Sequence, residues 1–218
     1  MTDKEPTEQT IAGAWRANRD LGDTSDGRSI LGNDKTGSAI LSEYERAQKL
    51  ESENIRDHLT GAFNRRYLES EARKLAANED LFSIVFLDID EFRRFNNVYG
   101  HDLGDAALKH LANVAEGEVK SARPTGKEDV FARWGGEEFM ILLRDVSDLE
   151  VAVKVAGRVR TAVENSTFKD NDGKNLILTV SGGVASRREG EKLEETIKRA
   201  DEGLLKAKAL GKNRIESN

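Results

Sequence analysis

The chain has 218 residues, 37% of them hydrophobic and 34% charged, with a formal net charge of −6. That length suits one ordinary domain plus an appendage, and the negative charge argues against nucleic-acid binding while leaving room for a small basic nucleotide pocket. The absence of cysteine excludes disulfides and thiolate metal sites, His58, His101 and His110 are too scattered for a histidine-rich zinc site, and no apolar run approaches the ~20 residues that span a bilayer, so a cytoplasmic protein with no membrane partner is expected.

Residues 1–39 are polar, show no sustained period and read as a disordered tail. Within them Ile11–Ala17, which includes Trp15, is apolar enough for a short docking segment, although a stray tryptophan in a tail is the simpler reading. Ile40–Asp57 has a helical composition with no Gly or Pro. Leu41, Tyr44 and Ile55 fit one heptad seam, but Gln48 and Glu51 interrupt it. This linker helix is suited either to weak dimerisation or to packing on its own domain.

Gly61 breaks the helix within Asp57–Arg66, and a second helix is predicted over Asn64–Ala77. Leu81–Leu87 is a continuous apolar run, hence a buried strand, and it ends in Asp88-Ile89-Asp90. Leu103–Glu118 has helical spacing. Asp129–Trp134 and Phe139–Leu143 then flank Gly135-Gly136, which predicts a tight hairpin, because both central residues of a type I′ turn need positive φ. Leu149–Val163 is an amphipathic helix with Val151, Val155, Val159 and Ala162 on one face. Thr167–Lys169 and Asn175–Ala185 flank a second hairpin signal, Asn171-Asp172-Gly173. Leu193–Leu210 is a helix stopped by Gly211, and Arg214–Glu216 is a short edge strand. The order β-α-β-β-α-β followed by a helix predicts an α+β fold: a ferredoxin-like sheet with helices on one face, as in nucleotide-polymerising palm domains, preceded by an N-terminal helix.

In that topology Asp88 ends the first long strand beside the glycine hairpin and faces Glu137. Two carboxylates sharing phosphate oxygens make a hard-oxygen Mg²⁺ site. Asp90 lies on the same face as Asp88 and either assists or caps the next helix. Glu137 and Glu138 point to opposite faces unless the turn bulges. Bare backbone at Gly135 and Gly136 lets a metal-bound phosphate approach. Phe92–Asp105 carries groups able to read a base edge: the donors of guanine suit Asp105, and its acceptors suit Asn96. The local alternative makes Asp102 a helix cap and Gly100 and Gly104 turn residues.

Taken together, Asp57–Arg66, Leu87–Asp105, Arg133–Phe139, Val180–Ala185 and Ala200–Asn213 resemble the GGDEF domain of diguanylate cyclases in order and spacing. The resemblance covers about residues 57–216, so 58–218 is expected to be the catalytic domain. It implies that two GTP molecules are joined into cyclic di-GMP with release of pyrophosphate. Each 3′-hydroxyl attacks the α-phosphate of the other GTP, across a homodimer. It further implies that Asp88, the Ile89 carbonyl and Glu137 bind Mg²⁺ (or Mn²⁺), and that Glu137 or Glu138 deprotonates the 3′-hydroxyl. Asn96 and Asp105 match the guanine readers, with His101 in the same segment, and Arg93, Lys208 and Lys212 match the phosphate contacts.

The sequence departs from that family's pattern in places. Where many members carry Arg-x-x-Asp before the hairpin, this chain has Gly126-Lys127-Glu128-Asp129, so the inhibitory site is expected to be absent although Asp129 is retained. Arg93 and Lys212 are Lys/Arg exchanges, Asn97 stands where Asp is usual, and Leu205 where Tyr is usual. A catalytically silent GGDEF module acting as a nucleotide sensor or scaffold is the alternative, but the retained hairpin glycines and acids weigh against it. Asp105 weighs against a cyclase that uses adenine. Regulation is expected to come from a protein partner at the N-terminal tail or helix, or through expression.

Overall fold

The computed structural model describes residues 55–122, 129–170 and 172–218. The tail, its Ile11–Ala17 patch and nearly all of the linker helix lie outside the described residues. The elements in chain order are β1 (Phe63–Asn64), α1 (Arg65–Ala77), β2 (Phe82–Ile89), α2 (Phe92–Tyr99), α3 (His101–Ala122), β3 (Val130–Gly135) and β4 (Glu138–Arg144). They continue with α4 (Leu149–Asn165), β5 (Phe168–Lys169), β6 (Asn175–Leu176), β7 (Val180–Ser186), α5 (Leu193–Ala209) and β8 (Ile215–Ser217). Among the described residues no helix is long and apolar enough to cross a membrane.

The main sheet has the order β1-β3-β4-β2-β7-β8, with β5 and β6 paired separately. Its centre, β7-β2-β4-β3, is the expected ferredoxin-like order, and β2 is antiparallel to both neighbours. All eight residues of β2 are buried, because both faces of the sheet are covered. Val85, Leu87, Phe139 and Ile141 pack under α3 and α4. Ile84, Phe86, Met140 and Leu142 pack under α1 and α5. Full burial of each such side chain is worth roughly 1.5–3 kcal/mol, so neither face can be left to water. Helices on both faces therefore replace the expected single layer. The second layer comes from α1 and α5, which lie outside the βαββαβ unit.

Several boundaries move for local reasons. The linker helix does not reach Asp57: Ile55 is in a turn and Arg56 bridges Phe63. Asn64 is a cap, not a helical residue, accepting the Tyr67 N–H at 3.0 Å, and Phe63 and Asn64 pair in parallel with Ala132 and Arg133. The segment after β2 folds into its own helix, α2, before α3 begins at His101. The strand expected over Asn175–Ala185 is two pieces, because Thr179 turns aside to donate its hydroxyl to Asp90 at 2.8 Å.

The packing of α5 on β7 sets the position of the site. A Cβ on Gly183 would lie 1.8 Å from the Ala200 carbonyl oxygen and 2.2 Å from the Leu204 nitrogen. Helix and strand backbones meet with no side chain between them, which lowers the far end of α5 onto the end of β2.

Candidate active site

The β3–β4 hairpin is not the two-glycine turn expected. Arg133 pairs with Phe139, but Gly135 pairs with Glu138, so Trp134 is an extra, bulged residue. The turn residues are Gly136 and Glu137. Gly136 has φ +54°, whereas Gly135 remains in the strand without a positive φ. Arg133 holds this tip: its Nε and Nη2 donate to the Gly136 carbonyl at 3.0 and 2.8 Å, and its Nη1 donates to Asp57 at 3.2 Å. Asp57 also accepts the Thr60 N–H and hydroxyl. Burial works to raise the Asp57 pKa, but these Thr60 bonds and Arg133 bring it below its usual value.

The register of β2 against β4 puts Asp88 opposite Glu138. Glu137, in the turn, also approaches β2 through its backbone carbonyl, which accepts the Ile89 N–H at 3.4 Å. Its charge acts on both Asp88 and Glu138. Burial raises the Asp88 pKa; the Lys208 ammonium, 2.9 Å from Oδ2, works against that, and Glu137 and Asp90 add to it. Glu138 is raised as well, by burial first and then by Asp88, with Glu137 and Asp201 adding to the effect. Asp90 does not cap the next helix, whose N-cap is Glu91. The Asp90 carboxylate accepts the Thr179 and Ser181 hydroxyls and the Asn213 N–H, tying β2 to β7 and to the loop after α5.

The other expected residues fall into two groups. Asn96 lies in the last turn of α2, where its carbonyl accepts the Gly100 N–H at 2.9 Å. Its side chain lies over Gly104 in the first turn of α3, next to Asp105. The Asn96 Oδ1 is buried and has no hydrogen-bond partner. His101 and Asp105 are exposed on the same turn, and Arg93 is exposed on α2. Lys212 pairs with Glu91, and both residues have positive φ, 65° and 57°. Gly126 lies outside the described residues, and Asp129 accepts the Arg144 N–H at 2.9 Å.

Two neighbours of the site escaped sequence reasoning. Asp201 lies two turns before Lys208 on the same face of α5, a spacing that offered a signal. Glu91 offered none, because its pairing with Lys212 follows from two left-handed residues more than a hundred positions apart.

Asp88 and Glu137, together with a backbone carbonyl, are hard oxygen donors that fit Mg²⁺ or Mn²⁺. Among the described residues no three His, Cys, Asp or Glu side chains form a metal-holding group by themselves, so a metal here would take its remaining oxygens from substrate phosphates or water. Space for such phosphates exists at the tip, where a Cβ on Gly135 would meet nothing within 4 Å.

The family model described as "Diguanylate cyclase, GGDEF domain" matches residues 54–214. The chain belongs to this family. It is 36% identical over 167 residues to the response regulator PleD of Caulobacter vibrioides, a match covering 74% of this chain and 35% of PleD. The chain thus spans about a third of that curated relative's length. The solved structure of diguanylate cyclase SiaD with its activator SiaC, from Pseudomonas aeruginosa, is 30% identical with a TM-score of 0.69, covering 97% of this chain and 78% of SiaD. The active GGEEF domain of a diguanylate cyclase from Vibrio cholerae is 28% identical with a TM-score of 0.60, covering 71% of this chain and 96% of that domain.

Proposed function

We propose that this protein is a diguanylate cyclase in which each domain binds one GTP and two domains in a homodimer join them into cyclic di-GMP. The observation that carries the reading is the hairpin tip: open space over Gly135 beside Asp88, Glu137, Glu138 and Lys208. Asp88, the Ile89 carbonyl and Glu137 would hold Mg²⁺ or Mn²⁺, which when bound would supply charge neutralisation at the phosphates. Lys208 and Lys212, with Arg93, supply cations for the phosphate chain. Asn96 and Asp105, with His101 beside them, read the guanine edge. Either Glu137 or Glu138 accepts the proton of the 3′-hydroxyl, and burial already favours a proton on Glu138. Because one site holds one GTP, the attacking hydroxyl must come from a second protomer. The Vibrio cholerae domain with the same Gly-Gly-Glu-Glu tip supports an active reading over a silent one. The complex of SiaD with its activator supports a protein partner as the regulator, and we place its docking on the N-terminal tail or linker helix.

The test is incubation with GTP, ATP and Mg²⁺ across a range of protein concentrations, with the product identified by mass. Cyclic di-GMP and pyrophosphate are expected, with specific activity rising with protein concentration. Tight GTP binding without product would establish the silent sensor or scaffold instead. Micromolar cyclic di-GMP is expected to inhibit little, since Gly126 replaces the arginine of the inhibitory motif.

A further inference from the structure

Gly104 is buried in the first turn of α3 and adopts an ordinary helical φ, so nothing in its backbone conformation asks for glycine. Glycine is also a poor helix former, and alanine would favour the helix. The reason for a bare position lies across the α2–α3 corner. A Cβ at Gly104 would come within 1.9 Å of the Asn96 Oδ1 and 3.0 Å of its Cγ. Every contact under 4 Å is with this one side chain among the three nearest atoms, and the nearest of them is its far end. Gly117, later on the same helix, would meet nothing within 4 Å, so close approach is particular to the corner.

We propose that Gly104 is a positioning residue for base recognition: its missing side chain makes the place where the Asn96 amide lies, beside Asp105. This rests on the reading that Asn96 meets a guanine edge. The Asn96 Oδ1 is buried without a partner, which is costly within a folded chain and rare unless something else supplies the missing bond. The amide can present oxygen or nitrogen by a flip, and guanine offers both donors and acceptors along one edge. A methyl group at position 104 displaces the end of a half-buried, rotatable side chain and leaves the backbone alone. The fold survives that displacement, but the amide no longer lies where the base needs it.

The test uses the full chain and four proteins: wild type, Gly104→Ala, Asn96→Ala and the double variant. Equilibrium binding is measured for a GTP analogue with a methylene α,β-bridge, and for Mg²⁺-tripolyphosphate as a base-free probe. Gly104→Ala and Asn96→Ala are each expected to weaken the analogue about tenfold, the scale of one lost hydrogen bond, with the double variant no weaker than Asn96→Ala. Tripolyphosphate binding is expected to be the same in all four, and Gly104→Ala is expected to melt no lower than wild type. Unchanged analogue binding by Asn96→Ala would overturn the base-site reading itself. A loss in Asn96→Ala without one in Gly104→Ala would overturn the positioning role alone. Equal losses from Gly104→Ala in both backgrounds would also overturn it, since Gly104 would then act through another group. If Gly104→Ala fails to fold, the double variant decides: folding of the double variant supports Asn96 as the obstacle, and its failure refutes it.

Discussion

The β7–α5 seam and the β3–β4 hairpin tip are built from the same two residue types, glycine and acid, and use them in opposite ways. At the seam the space of the missing Cβ is filled by the chain's own backbone: Gly183 lies against Ala200 and Leu204. The acid there, Glu191, accepts two bonds from the Arg199 guanidinium at 2.8 and 2.6 Å, the Arg188 N–H at 2.9 Å and the Thr196 hydroxyl at 3.0 Å. Burial works to raise its pKa, but these partners outweigh burial and bring it down to about 2. At the tip the space over Gly135 is empty of protein, and burial and mutual repulsion raise Asp88 and Glu138. Residue type alone does not separate structure from function here. What separates them is whether the chain itself satisfies the residue.

The largest effect that sharpens this contrast is expected from the tip acids. Asp88→Asn or Glu137→Gln should lower turnover by about 10³-fold, because each removes a charge from the proposed Mg²⁺ and phosphate site. Unfolding should stay cooperative, since the sheet and both helical layers are held by apolar packing and Asp88→Asn gives up only the ion pair with Lys208. Comparable turnover by either purified variant would remove that acid from the site.

Next comes the seam glycine. Gly183→Ala should cost about 3 kcal/mol, because the new methyl group meets backbone that cannot rotate away, and Tm should fall by roughly 10 °C. A Tm within a degree or two of wild type would mean that the seam is looser than its contacts indicate.

A somewhat smaller effect is expected from the seam acid, and it carries a sign. The folded Glu191 pKa lies below its ordinary value, so its stabilisation is present above pH ~4.5 and is lost as pH falls towards 2. Glu191→Gln should therefore cost about 2 kcal/mol at pH 7 and flatten the acid limb of the stability curve between pH 5 and 2. Parallel acid limbs in the two proteins would show that the latch is not what titrates. Asp88 and Glu138 run the other way: raised carboxyls favour the folded state below their ordinary pKa, and that contribution disappears as pH rises through the folded values.

The smallest effect is the most direct test of the contrast. Gly135→Ala should leave stability within ~0.5 kcal/mol, since the methyl group meets no protein atom, yet lower kcat/KM about tenfold by standing where a phosphate approaches. If it destabilised the fold as much as Gly183→Ala, the two glycines would be the same kind of residue and the contrast would collapse.

Much of this molecule could be read from local pattern. The apolar run over residues 81–87, broken only by Ser83, specified a buried strand, Val155 and Val159 specified a buried helix face although Val151 on the expected face is exposed, and acids next to glycines marked the candidate site. Those features depend on periods of 2 and 3.6 residues, or on adjacency along the chain, so they are visible within a short window.

Tertiary structure decided what depends on pairing between distant segments. One bulged residue, Trp134, moved the turn from Gly135-Gly136 to Gly136-Glu137 and set Glu138 opposite Asp88. No local signal fixes such a register, because it is chosen by the packing of both sheet faces at once. The same holds for the second helical layer, for Asp90 being taken up by Thr179, Ser181 and Asn213, and for Asn96 lying across Gly104. By itself the sequence determined which residues could carry charge, bend or bury themselves. The fold decided which of those capacities the chain satisfies internally and which it leaves open for a ligand, because satisfaction is a matter of distance between side chains that the chain order does not contain.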